Sequence, residues 1–224
     1  MNFILNIDTA VTSASVCLSA EGKNIALKSN PETKDSAAWI HTAIQQLMQD
    51  AGITLQQLSA IALSAGPGSY TGLRVGMATA KGLCFALKKP LITINTLQMM
   101  AAAAVEGGIN TELICPMIDA RRMEVFTALY NQQLEEVLPS KAIILEAQTF
   151  VELLNEKRIT FLGNGSPKFK NSTTHPNADF TSLTVNASHI TVLAYMQWVK
   201  GNFADLAYAE PFYGKEFYSP AHNK

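Results

Sequence analysis

Two strand ends that lie 111 positions apart share one local plan, and this repetition constrains the fold more than any other feature. Ile7-Asp8-Thr9-Ala10 and Ile118-Asp119-Ala120-Arg121 each place an aspartate at the end of an apolar segment, just before a predicted hairpin. Segments 64–69 and 162–166 also correspond, because each runs from a predicted strand into a glycine turn. The repetition predicts an internally duplicated α/β chain with two mixed sheets.

Hydrophobic spacing predicts the elements of each half, with short apolar runs typical of strands and steps of three and four residues typical of helices. In the first half it predicts strands over 3–9, 13–19, 23–28, 59–65 and 91–94, and helices over 35–51, 71–87 and 97–105. In the second half it predicts strands over 112–118, 123–130, 133–138 and 159–162, helices over 146–155 and 190–199, and a surface loop over 166–188. We divide the chain into an N-terminal lobe, 1–108, and a C-terminal lobe, 109–224, a truncated repeat that the last helix closes.

The composition indicates a globular subunit. The 224 residues are 48% apolar and 16% charged, and the charged share lies below the usual value of about 25%. The formal net charge of −1 predicts a poor RNA binder when the chain is alone, because no broad positive field attracts a polyanion. Without a basic leader or an apolar run of membrane-spanning length, we expect a cytoplasmic protein.

The most specific motif is the glycine-rich segment 66–74, Gly-Pro-Gly-Ser-Tyr-Thr-Gly-Leu-Arg, between a predicted strand and a predicted helix. Such a segment can hold a phosphate at the start of the helix, but it lacks the Lys-Ser/Thr of a P-loop and the spacing of a dinucleotide motif. A tight structural turn is the other interpretation, and the pattern favours it.

The two aspartates allow two interpretations. Asp8 and Asp119 would face each other across the cleft of a duplicated fold, where paired carboxylates hold Mg²⁺ or act as acid and base. Alternatively each caps its own hairpin turn, which we favour. No two of the four histidines have the spacing of paired metal ligands on a helix, and the three cysteines lie apart in apolar stretches. We therefore expect no metal site.

The helix predicted over 71–87 is apolar on nearly every side and must be covered on two of them. Small residues at four-residue steps form a thin ridge that another helix can approach closely. Its cover is either the neighbouring helix around Trp39 or another protein. The residues expected at a partner interface are Trp39, Ile40, Ala43, Ile44, Leu47, Gly72, Gly76, Ala80 and Cys84.

These motifs resemble the TsaB (YeaZ) family, whose members serve in bacterial tRNA threonylcarbamoyladenosine synthesis. The resemblance covers most of the chain and rests on Ile7-Asp8-Thr9-Ala10, the glycine signature 66–76, Thr96-Leu97, and Ile118-Asp119-Ala120-Arg121 with Glu124-Val125. Two positions depart from the family pattern: Asp35 stands where a histidine is frequent, and 211–215 replace a Pro-x-Tyr-Leu-Arg ending.

The resemblance implies a duplicated actin/Hsp70/sugar-kinase-like fold without catalysis of its own. The chain would bind and stabilise a homologous catalytic subunit, TsaD, in threonylcarbamoyl transfer to adenosine 37 of tRNAs that read codons starting with A. A separate ATPase subunit, TsaE, supports turnover, and the chain alone would form a homodimer. tRNA, ATP or ADP, and Mg²⁺ would be bound at the level of the complex.

The residues placed near a nucleotide or phosphate in that setting are Asp8, Thr9, Gly66, Gly68, Ser69, Thr71, Arg74, Asp119 and Arg121. The alternative from another class is an autonomous ATP-dependent phosphotransferase or metallopeptidase of the same superfamily, with Asp8 and Asp119 on a metal.

Overall fold

The computed structural model describes residues 1–11, 13–30, 32, 36–146 and 148–214, so the predicted helix start at Asp35 and the departure at Lys215 lie outside the described residues. The elements of the first lobe are β1 (Phe3–Asp8), β2 (Ser15–Ala20), β3 (Lys23–Ser29), α1 (Ser36–Asp50), β4 (Leu58–Ser64), α2 (Tyr70–Leu87), β5 (Leu91–Ile94) and α3 (Thr96–Glu106). Those that follow are β6 (Leu113–Asp119), β7 (Glu124–Tyr130), β8 (Glu136–Ile144), α4 (Val151–Glu156), β9 (Ile159–Leu162), α5 (Ser166–Lys170), β10 (Ala178–Phe180) and α6 (Thr191–Lys200).

The strand order confirms the duplication. The first sheet runs β3-β2-β1-β4-β5, and the second, read in the corresponding direction, runs β8-β7-β6-β9-β10. In both, the first three strands are antiparallel, and the last two add in parallel. β1 and β6 are therefore equivalent central strands, and Asp8 and Asp119 are their equivalent last residues.

Alternate residues of the first sheet face two different helical layers, because successive strand side chains point to opposite faces. On one face, apolar residues of β1, β2 and β4 pack with α1 and α2. On the other, Ile4, Ala60 and Ile92 pack with α3 and with Leu193 of α6. The prediction that the last helix closes the second lobe is wrong, since α6 returns to the first sheet. α3 lies between the lobes and also packs on β6 and β7.

The second lobe differs most from the prediction. β8 begins at Glu136 rather than 133, because the side chain of Asn131 accepts hydrogen bonds from the amides of Gln133 and Glu135 and holds these residues in a turn. The segment predicted as a loop contains α5 and the three-residue strand β10, both too short to produce a periodic pattern.

The chain after α6 runs back along the first lobe to the glycine segment. Ala204 bridges Leu91 of β5, and Lys81 of α2 donates to two carbonyl groups of this segment. The amide of Phe212 then donates to the carbonyl oxygen of Ala65 at 2.7 Å. This return path brings residues 211–214 to the cleft between the lobes. No helix in the described part of the chain has both the length and the apolar character needed to cross a membrane.

Candidate functional site: the interlobe cleft and the outer helical face

A cleft of about 1,460 Å³ separates the two lobes. Of the nine residues predicted near a nucleotide, it is lined by Gly68, Ser69 and Thr71 from the first lobe and by Asp119 and Arg121 from the second. The remaining four, Asp8, Thr9, Gly66 and Arg74, do not line it. The cleft therefore brings together residues from both repeats, but not the two aspartates.

The glycine segment is a packing surface for the chain's own backbone. A Cβ atom at Gly68 or Gly72 would collide with the carbonyl oxygen of Ala10 or Thr9, and one at Gly66 with that of Phe212. Three of its amides are already bonded: Gly66 to the Thr96 hydroxyl, Ser69 to Ala10, and Gly72 to the Ser69 hydroxyl. Glycine is needed here for close approach. These contacts support the structural-turn interpretation.

Asp8 is buried and caps its own hairpin. Its Oδ1 accepts hydrogen bonds from the amide of Ala10 at 3.0 Å and from the hydroxyl of Ser64. Oδ2 is buried without a partner among the described residues, and burial raises the pKa of Asp8 to about 6. The prediction that this carboxylate faces the cleft is wrong, whereas the capping interpretation is confirmed.

Asp119 forms the equivalent turn in the second lobe, but at the surface. Its Oδ1 accepts from the amide of Arg121 at 2.6 Å, two residues on, as Asp8 accepts from Ala10. The ammonium of Lys168 lies 2.6 Å from the same oxygen and lowers the pKa of Asp119. The Asn164 side chain accepts from the Asp119 amide at 2.9 Å. Lys168 and Asn164 therefore fix this hairpin.

Sequence reasoning gave no role to Arg122 at the tip of this hairpin, nor to Asn164 and Lys168, which bond to it from the segment after β9. Arg121 and Arg122 both have positive φ, 72° and 49°, at the tip between β6 and β7. Non-glycine residues rarely adopt this region, and the two-residue hairpin turns that need it usually contain Asn-Gly. The dipeptide Arg121-Arg122 gives no turn signal, so only the fold reveals its conformation.

Histidine, cysteine and acidic side chains are the groups that could hold a metal ion elsewhere in the fold. Among the described residues no group of three or more of these side chains has the geometry of a metal site. The thiols of Cys17, Cys84 and Cys115 are buried, and burial raises the pKa of each to about 12. Thiols in this state are poor nucleophiles at neutral pH.

The structure corrects the predicted partner face. Eight of its nine residues are buried within the monomer, and Trp39 packs partly against the same core: Ile40, Ala43, Ile44, Leu47, Gly72, Gly76, Ala80 and Cys84. The ridge from Gly72 to Cys84 turns inward, and a Cβ at Gly76 would collide with the hydroxyl oxygen of Thr9. The buried residues of this set anchor α1 and α2 to their own sheet, and the ridge from Gly72 to Cys84 is covered within the monomer.

The opposite face of α2 is exposed and carries a second ridge of small residues. Ala78, Gly82 and Ala86 are exposed at four-residue steps, and nothing lies within 4 Å of a Cβ built at Gly82. Phe85 beside them is 80% exposed. We call Ala78, Gly82, Phe85 and Ala86 the outer face of α2.

An apolar groove of about 500 Å³ lies between α1 and α2. Its walls include Ile44 and Met48 of α1, Ile53 and Leu55 of the following loop, and Leu83 of α2. Leu83 precedes Ala86 by three residues, so these two side chains are neighbours on the helix surface and the groove adjoins the edge of the outer face of α2. Together they form an apolar surface, a feature typical of protein interaction sites.

The fold and the cleft define a duplicated two-lobe protein of the actin/Hsp70/sugar-kinase-like class. The fold is similar to that of the (R)-2-hydroxyglutaryl-CoA dehydratase component A of Acidaminococcus fermentans, with a TM-score of 0.54 and 9% sequence identity. The superposition covers 89% of this chain and all of that one. The family model "TsaD: tRNA N6-adenosine threonylcarbamoyltransferase" matches residues 30–210.

Closer similarities specify the family within this class. The chain is 35% identical over 172 residues to the tRNA threonylcarbamoyladenosine biosynthesis protein TsaB of Bacillus subtilis, covering 75% of this chain and 73% of that protein. A crystal structure of an uncharacterised Pseudomonas aeruginosa protein with similarity to peptidase YeaZ superposes with a TM-score of 0.85 at 27% identity, over 96% of this chain and all of that one. The chain belongs to the TsaB (YeaZ) family.

Proposed function

We propose that the chain is a non-catalytic subunit that binds and stabilises TsaD in the synthesis of threonylcarbamoyladenosine at position 37 of tRNAs that read codons starting with A. Its relatives are named for threonylcarbamoyladenosine biosynthesis, and the matched family model is that of TsaD. The observation that carries the proposal is the outer face of α2, where Phe85 is 80% exposed beside a ridge of small residues.

This surface suits a helix of a homologous protein. With open space around Gly82, a second helix can approach α2 as closely as small residues allow. Phe85 then becomes buried against that helix, and aromatic residues placed this way supply much of the affinity at protein interfaces. The groove between α1 and α2 accepts apolar side chains from the same partner. When the chain is alone, a second copy covers this surface and gives a homodimer.

The state of the two carboxylates supports a non-catalytic role. Asp8 is enclosed, and its Oδ1 is bonded to Ser64 and Ala10. Asp119 is neutralised by Lys168 at 2.6 Å. An acid–base pair or a Mg²⁺ site would need both carboxylates in the cleft and free to react. The autonomous phosphotransferase or metallopeptidase is therefore disfavoured, and ATP or ADP and Mg²⁺ act at the level of the complex that also contains the ATPase TsaE.

Two measurements on the purified chain test the proposal. In calorimetry with ATP and Mg²⁺, we expect no low-micromolar binding by the chain alone. In a transfer assay with TsaD, TsaE, tRNA and threonylcarbamoyl-adenylate, we expect turnover only when the chain is added, and unchanged turnover with the variant D8N. Turnover of a substrate by the chain alone, abolished in D8N, would establish the enzyme instead.

A further inference from the structure

The tip of the β6–β7 hairpin presents two cations, Arg121 and Arg122, without an ion-pair partner among the described residues. Arg121 and Arg122 are both exposed, and neither guanidinium pairs with another described residue. The two acids of the hairpin are engaged, Asp119 with Lys168 and Glu124 with a contact of its own. The guanidinium charges are therefore not cancelled within the hairpin, although the chain as a whole carries a formal charge of −1.

The backbone at this tip adopts a conformation that arginine residues rarely take. Both arginines occupy the left-handed region, where glycine or asparagine would be favourable. The hairpin is fixed by its base, because Lys168 bonds both Asp119 and the carbonyl oxygen of Glu124. Strained residues maintained by their surroundings are characteristic of functional sites. The tip is thus a rigid support that presents two neighbouring guanidinium groups.

The adjoining cleft has room for more than one nucleotide. Its volume of about 1,460 Å³ exceeds the range of about 300–1,000 Å³ that is usual for small-molecule sites. Arg121 and Lys170 lie on its wall, together with Phe180 and Tyr213, whose rings also pack against Phe161 and Tyr70. Cations along a groove with aromatic side chains are the features that bind the backbone and bases of single-stranded nucleic acid.

We propose that Arg121, Arg122 and Lys170 bind phosphodiester groups of an unpaired stretch of the tRNA, with its bases in the interlobe cleft. Guanidinium groups suit this role because their planar array of donors matches phosphate oxygens. The inference rests on the proposed function, since the assembled complex supplies the remaining affinity for tRNA that a chain of net charge −1 lacks.

The test measures tRNA binding by the complex of this chain with TsaD as a function of salt. The variant R121Q/R122Q removes both tip charges, and K23Q/K200Q removes two exposed lysines from the first sheet and from α6 as a charge-matched control. We expect R121Q/R122Q to weaken binding about tenfold and to reduce the slope of log affinity against log salt by about 1.4, which is two single-strand contacts at about 0.7 each. The control K23Q/K200Q should leave both the affinity for tRNA and the salt slope close to the wild-type values, apart from the small effect of removing two positive charges anywhere on the surface.

Three other results of the binding experiment would each contradict a different part of the account. Equal affinity and equal slope for R121Q/R122Q and K23Q/K200Q, in complexes that assemble normally on gel filtration, would overturn the RNA site and leave the scaffold role intact. Failure of the wild-type chain to assemble with TsaD would instead refute the proposed function. Displacement of tRNA by ATP, with weaker ATP binding in R121Q/R122Q, would assign the site to a nucleotide and contradict the proposal.

Cross-linking of the wild-type complex gives a result that does not depend on any variant folding. With 4-thiouridine in the unpaired stretch of the tRNA, we expect cross-linked peptides that contain Phe180 or Tyr213. Cross-links confined to TsaD, or equally frequent with a fully paired RNA duplex, would contradict the proposal.

Discussion

The hydroxyl of Thr9 donates a hydrogen bond to the carbonyl oxygen of Gly72 at 2.7 Å, and this bond joins the end of β1 to the start of α2. One turn further along, Gly76 packs against the same hydroxyl. The inward ridge of α2 is therefore used to hold the helix on its own sheet. The opposite ridge, around Gly82, has open space beside it.

The two glycines of α2 predict opposite effects of the same substitution. Gly76→Ala introduces a Cβ against Thr9 and should lower the free energy of unfolding by about 1–3 kcal/mol, because the packed core must shift. Gly82→Ala meets open space and should raise it by about 0.5–1 kcal/mol through helix propensity. Urea denaturation at low protein concentration measures both. Equal effects of the two substitutions on the free energy of unfolding would contradict the assignment of Gly76 to a buried ridge and Gly82 to an exposed one.

Asp8 predicts an unusual pH dependence. Because burial raises its pKa from 3.8 to about 6, the folded state favours the protonated form, and the stability contributed by Asp8 is greatest below pH 4 and is lost as pH rises through 6. The shift corresponds to about 3 kcal/mol. Asp8→Asn should therefore be more stable relative to wild type at pH 7.5 than at pH 4, as measured by urea denaturation at both values.

The substitution Asp50→Asn is the control for this comparison. Asp50 lies on the exposed surface of α1, where it pairs with Lys28. Its stability relative to wild type should not show a gain of this size between pH 4 and pH 7.5. If Asp8→Asn behaved like Asp50→Asn, Asp8 would not be buried as the structure places it.

The ion pair with Lys168 should control the pKa of Asp119. Lys168→Gln removes the ammonium that lies 2.6 Å from Asp119, so the pKa of Asp119 should rise towards its ordinary value. The pair is partly exposed, and its loss should change the free energy of unfolding by less than about 1 kcal/mol. Carbon NMR of the Asp119 carboxyl group measures the titration. An unchanged pKa would mean that the hydrogen bond from Arg121 alone determines it.

Sequence periodicity located α2 but not the face that it exposes. Residues at four-residue steps form one ridge from Gly72 to Cys84 and another from Ala78 to Ala86, and both consist of small side chains. The helix has few charges, but Arg74 begins the exposed row and Lys81 follows it seven residues later, so these two side chains mark the solvent side. The predicted interface instead lies on the small residues of the row from Gly72 to Cys84, which are buried. The orientation is decided by contacts with Thr9, which lies 63 positions before Gly72.

The candidate site was predictable where the signal was local. The repeated strand-end aspartates predicted two equivalent turns, and Asp8 and Asp119 do accept hydrogen bonds from the residue two positions on. That Asp8 is buried and Asp119 is paired depends on Ser64 and Lys168, which come from distant segments. Such long-range partners leave no periodic or spacing signal in a single sequence.

The central claim is that the outer face of α2 binds TsaD, and calorimetric titration of TsaD with the double variant G82L/F85S tests it most directly. Gly82→Leu fills the space that a partner helix would need, and Phe85→Ser removes the aromatic anchor, while neither side chain supports the monomer core. The exposed Gln148→Leu in the second lobe is the control. The account predicts that G82L/F85S weakens TsaD binding by at least about thirtyfold, the size of an interface hot spot, with an unfolding midpoint no lower than that of the wild type. Binding of TsaD as tight as that of Gln148→Leu would contradict it.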